Sequence, residues 1–137
     1  MNLLSAMRIA FGLPMIDVLE ELLRKIRPYE TEEGSADRAF EKAMDQVIGG
    51  LERSGISGMK KGFKKAIEIM KQVSYDRTTP RPRVLIVGEY LLNFHPGANH
   101  EIERYLENNG FEIVEARMTD VIRKTYFYKD SQNRNII

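Results

Sequence analysis

The chain contains no cysteine and no tryptophan, and only two histidines and five prolines among its 137 residues. Without cysteine there is no disulfide, no thiolate nucleophile, no zinc–thiolate site and no cysteine-ligated iron–sulfur cluster within this chain. Two histidines leave little for any other metal site, and none is expected. No run of 18 apolar residues occurs, so no segment reads as membrane-spanning. The opening stretch to Met15 is broken by Arg8, Gly12 and Pro14 and lacks the apolar core and cleavage-type ending of a signal peptide. A cytoplasmic location is the resulting default. Excess charge is missing too: 21 Lys and Arg face 20 Asp and Glu, a net charge of +1. That gives no whole-molecule field to hold nucleic acid or an acidic membrane, and neither partner is expected. A GxGxxG fingerprint and a GxxxxGK(S/T) phosphate loop are also absent.

What is present is enough for one core. With 42% hydrophobic and 30% charged residues, the chain is far from the disordered classes and has the size of a single domain or a piece of one. Ile16, Leu19, Leu22, Leu23 and Ile26 recur at spacings of three and four, which predicts a helix ending near Arg27, with Asp17, Glu20, Glu21 and Arg24 off its buried face. A second helix is expected from an N-cap at Ser35, with Asp37 in its first turn and a stripe of Ala36, Phe40, Ala43, Met44, Val47, Ile48 and Leu51. Gly55 and Gly58 mark a break. A third helix follows through Ile56, Met59, Phe63, Ile67, Met70 and Val73, weakened at Gly62.

Pro80 and Pro82 make an extended connector, after which the patterning changes. Val84–Val87 reads as a strand buried on both faces, central in a parallel sheet. A helix from Pro96 through Asn109 is expected to turn Ile102, Tyr105 and Leu106 to the sheet and Glu101, Glu103, Arg104 and Glu107 to water, with Gly110 ending it. Phe111–Val114 supplies a second strand and completes a βαβ unit. Thr119 or Asp120 would cap a last helix through Tyr126, Phe127 and Tyr128. The fold class is therefore α/β: a helical segment over 1–79, then a Rossmann-like βαβ segment over 80–137. Two strands are too few for a stable parallel sheet, so the chain is expected to be part of a larger protein or to complete its sheet as a homodimer.

In such sheets ligands bind beyond the carboxyl ends of the strands. That position holds Glu89, Asn93, His95, Asn99 and His100. Each has a plain structural role as well: Glu89 can accept backbone amides, and Asn93 and Asn99 can cap turns. His95 and His100, five apart across a proline, do not match metal-ligand spacing. Between Arg53 and Arg83 nine bases face two acids, concentrated in Lys60, Lys61, Lys64 and Lys65. This can be a solvated helix face, or a surface for an acidic partner or a phosphate-bearing ligand such as coenzyme A.

Two stretches carry a family resemblance. One runs from Asp17 to Ile26, through Arg27-Pro28-Tyr29-Glu30, to Gly34-Ser35-Ala36-Asp37. The other comprises Arg81-Pro82-Arg83-Val84 through Val87-Gly88-Glu89, then Phe94-His95-Pro96, Ala98-Asn99 and Leu106-Glu107-Asn108-Asn109-Gly110-Phe111-Glu112-Ile113-Val114. On these the chain resembles the 2-hydroxyacyl-CoA dehydratase and CoA-substrate-specific enzyme activase-related family. The resemblance implies an anaerobic system in which an ATP-driven iron–sulfur activase passes an electron to a dehydratase. A 4Fe-4S cluster and ATP are implied only for partner subunits or missing parts, because this chain has neither cysteines nor an ATPase motif. The implied role is non-catalytic, in subunit docking or acyl-CoA binding, with Glu89, Asn93, His95 and Asn99 lining the crevice. The alternatives are a small enzyme using Glu89 as base with His95 or His100 as acid, and a structural dimerisation fragment.

Overall fold

The computed structural model describes residues 2–89, 95 and 97–124. Helix α1 spans Leu3–Ile26 and runs into a 3-10 turn at Arg27–Tyr29; α2 spans Ser35–Lys71; β1 (Arg83–Ile86), α3 (Ile102–Asn108) and β2 (Glu112–Glu115) follow. A further helical stretch begins at residue 118 and is described to 124.

α1 starts well before its apolar periodicity. Asn2 caps it, its Oδ1 accepting from the Ser5 N–H at 2.8 Å. Pro14 lies inside the helix on an exposed position, where water can satisfy the carbonyl that its missing N–H leaves free.

The second and third expected helices are the two arms of α2, 35–53 and 56–71. The chain reverses at Ser54 and at Gly55, whose φ of +59° and ψ of −142° are accessible essentially to glycine alone. Gly58 is a packing residue rather than part of the break. A Cβ there would lie 2.0 Å from the Gly50 carbonyl oxygen, and one on Gly62 would lie 2.0 Å from that of Gln46. Gly62 thus trades helix propensity for backbone contact between the arms. At the open end, Thr31 N–H donates to Ser74 O at 3.1 Å and Asp76 N–H to Tyr29 O at 2.9 Å.

Ser35 is not the cap of α2. Gly34, at φ +73°, precedes the helix, and the Glu30 carboxylate accepts from Gly34 N–H (2.7 Å), Ala36 N–H (2.7 Å) and the Ser35 hydroxyl (3.2 Å). A charged acceptor at a helix N-terminus satisfies orphan N–H groups and meets the dipole favourably. The core lies between α1 and the two arms, with Leu19, Leu23, Ile26, Ala36, Ala43, Val47, Met59, Ala66 and Met70 buried. Ile48, expected inside, is exposed.

β1 and β2 pair in parallel, with Val84 opposite Ile113 and Leu85 opposite Val114. β1 is not buried on both faces. Arg83 and Leu85 are exposed and alternate with half-buried Val84 and Ile86, because α1 covers one face of the sheet only. α3 is shorter than expected and turned in part: Ile102 and Leu106 are half-buried and Glu101 is exposed, as expected, but Glu103 and Arg104 are half-buried too. His100 and Glu101 take left-handed conformations just before it. It closes in a Schellman motif, with Phe111 N–H donating to Leu106 O and Gly110 N–H to Glu107 O. Tyr105 is 63% exposed while Glu107 is buried, because α1 offers arginines rather than an apolar surface. Among the described residues no helix is long and apolar enough to cross a membrane. Tyr126, Phe127 and Tyr128 lie outside the described residues.

Candidate functional site: a buried charge junction

Strand β2 begins and ends with glutamates whose side chains are buried. Glu112 accepts from the Tyr29 hydroxyl at 2.8 Å and pairs with Arg77 at 2.5 Å and Arg83 at 3.2 Å. The same hydroxyl accepts from the Arg81 N–H at 2.9 Å. The guanidinium carbons of Arg77 and Arg81 lie 5.1 and 5.6 Å from the Tyr29 ring centre, within cation–π range. Burial pushes the Glu112 carboxyl up, but the Tyr29 hydroxyl and the two arginines outweigh it and hold it below its usual range.

At the other end of β2, the Glu115 side chain is 1% exposed and forms an ion pair with Arg24 of α1. Arg24 also meets Glu103 at 3.2 Å and Glu20 at 3.5 Å. Burial first, then the negative charge of Glu103 and Glu20, pushes Glu115 up to about 7 despite Arg24. One turn on, Arg27 grips Glu107 with two bonds of 2.6 and 2.9 Å and also reaches Glu103 (3.3 Å) and Asp37 (3.4 Å). Arg104 closes the set on Asp37 at 2.7 Å. Five carboxylates (Glu20, Asp37, Glu103, Glu107, Glu115) therefore share three guanidiniums (Arg24, Arg27, Arg104). This half-buried junction has a carboxylate excess, so it can retain a proton near neutral pH.

Asp17 is a buried cap rather than a solvated residue. Its carboxylate accepts from Met118 N–H at 3.0 Å, Thr119 N–H at 2.9 Å and the Thr119 hydroxyl at 2.5 Å. Thr119 is thus a donor to the cap of the stretch over 118–124, not the cap itself.

Of the described residues among the sequence's ligand candidates, only Asn99 reaches this junction. It lines a cavity of about 260 Å³ together with Leu13, Ile16, Glu20, Arg24, Glu103 and Glu115. Glu89 is exposed beyond β1. His95 is exposed too, its Nδ1 accepting from Ala98 N–H at 3.2 Å and its carbonyl from Asn99 N–H at 3.1 Å. His100 is exposed, and Asn93 lies outside the described residues. The lysines at 60, 61, 64 and 65 are exposed on α2. Sequence reasoning missed Asp17, Arg24, Tyr29 and Glu115. The available signal was the i, i+7 placement of Asp17 and Arg24 on one side of α1.

Comparison with protein-family models, with curated proteins and with solved structures gives no match to this chain. The thiolates that would hold an iron–sulfur cluster are missing from the chain, so the cluster implied by the resemblance does not fit these residues. Among the described residues there is no group of three or more His, Asp or Glu placed to hold a metal ion.

Proposed function

We propose that this chain is a non-catalytic docking domain of a 2-hydroxyacyl-CoA dehydratase or activase-type protein, a helical platform that presents a short parallel sheet to the rest of its assembly. The observation that carries this reading is the outer face of the sheet. Leu85, Val87 and Val114 are 60%, 76% and 39% exposed, and Leu85 and Val114 are paired in register. Adjacent aliphatic residues left exposed on a two-stranded parallel sheet are a surface that a docking partner would remove from water. The family part of the proposal rests on the motif resemblance. The Pro28-Tyr29-Glu30 turn supports it by its structural use here: Glu30 caps α2, and Tyr29 holds β2 and the connector.

At the strand-end cavity, docking is favoured over acyl-CoA binding on charge. Among the described residues the cavity at Asn99 is lined by Asp17, Glu20, Glu103 and Glu115 against the single base Arg24, a balance that disfavours phosphate groups. The test is co-purification of the chain with the dehydratase and activase components of the same genome. Co-elution is expected, and Leu85→Asp with Val87→Asp is expected to abolish it while helical content persists. If the chain elutes alone beside every such component, the proposal fails. Amide shifts at residues 60–65 or 97–100 on adding coenzyme A would replace docking by ligand binding.

A further inference from the structure

The near-neutral net charge conceals a segregated pole. A Cβ on Gly12 of α1 would sit 3.6 Å from Met59 Sδ, only a few residues from the reversal at Ser54-Gly55. At 1.5 Å per residue, the first turns of α1 therefore lie at the reversal end of α2. Residues 2–16 and 51–67, which touch at Gly12–Met59 and Phe11–Lys60, contain six bases (Arg8, Arg53, Lys60, Lys61, Lys64, Lys65) and a single acid, Glu52. The same end is apolar. Leu3, Met7 and Phe11, spaced by four, form one stripe of α1 with Leu4 beside it, and all four are exposed, Leu3 most of all at 79%. The stripe and the bases adjoin: Lys60 Nζ lies 4.7 Å from the centre of the Phe11 ring.

An exposed aliphatic and aromatic stripe bordered by lysines has the composition of a helix that lies in a membrane interface, apolar side chains among acyl chains and ammonium groups over anionic headgroups. A second copy of this chain fits the pole poorly, because it would bring like charges together. We propose that the reversal end of the helical bundle binds an anionic membrane surface, with the Leu3–Met7–Phe11 stripe inserted and the Lys60–Lys65 lysines over the headgroups. This surface shares no residue with the sheet face used for docking, so the two readings stand or fall separately.

The experiment is flotation of the whole chain with phosphatidylcholine vesicles, with and without about one-third phosphatidylserine. Binding is expected to the anionic vesicles alone, to weaken as salt is raised, and to fall about tenfold or more in Met7→Asp with Phe11→Asp and in Lys60→Glu with Lys64→Glu. Leu3→Asp, at the most exposed position, should also weaken binding and cannot disturb the core. Equal flotation with both vesicle types, or none, overturns the proposal. Undiminished binding of the Leu3 and Met7/Phe11 variants also overturns it, since attraction to a polyanion would then suffice. Retention on poly-glutamate without vesicle flotation would assign the pole to an acidic protein instead.

Discussion

The Tyr29 hydroxyl donates to Glu112 across 83 residues of sequence and at the same time accepts from the Arg81 backbone. One phenol thus ties the α1–α2 turn, the proline connector and the second strand into one hydrogen-bonded unit. Tyr29→Phe keeps the ring and its contacts with Arg77 and Arg81 but leaves the buried Glu112 oxygen with Arg77 alone and strands the Arg81 backbone N–H. It should cost about 1–3 kcal/mol in chemical denaturation, with faster amide exchange at Arg81. An unchanged midpoint would show that water or Arg77 replaces the hydroxyl.

Asp17 reaches 101 and 102 residues along the chain to cap residues 118 and 119. Asp17→Ala should destabilise the fold by about 1–2 kcal/mol and leave the Thr119 amide the first to lose exchange protection. Protection at Thr119 equal to that of the native chain would count against the cap.

The junction around Arg24 makes stability depend on pH. Because Glu115 titrates at about 7 in the folded chain, above the ordinary glutamate value of 4.5, the folded state holds a proton that the unfolded state releases. Its contribution is fully present below about pH 4.5 and is lost as pH rises through about 7. Glu20 and Glu107, raised chiefly by burial, act in the same direction. Glu112, lowered, acts oppositely, losing stability only in acid. The denaturation midpoint should therefore fall between about pH 5.5 and about pH 8.5, and Glu115→Gln should flatten that slope and raise stability at the alkaline end. A slope unaltered by Glu115→Gln would place the retained proton elsewhere.

The two arms of α2 give a contrast between glycines. Gly62→Ala drives a Cβ into the Gln46 backbone and should cost upwards of about 3 kcal/mol or prevent folding. Gly49→Ala meets only the mobile end of Arg53 at 3.1 Å and should be neutral or stabilising by up to about 1 kcal/mol, a gain of helix propensity. Thermal unfolding of both variants checks this, and similar destabilisation by the two would contradict close contact between the arms at Gly62.

By itself the sequence determined the elements whose cause is local. The three-and-four spacing from Ile16 to Ile26 placed the core face of α1, Gly55 and Gly110 marked conformations only glycine adopts easily, and the β-branched run after Pro82 marked β1. Tertiary structure decided everything that depends on which surface meets which. The acids of α3 face inward because Arg24 and Arg27 stand opposite, and no periodicity in α3 reports that. Gly58 and Gly62 read as weaknesses until another backbone approaches them. Asp17, Arg24, Tyr29 and Glu115 are ordinary helix, turn and strand residues in one dimension. They become a site only when β2, far along the chain, is laid against α1, where low solvent access turns common ion pairs into a junction that competes for protons.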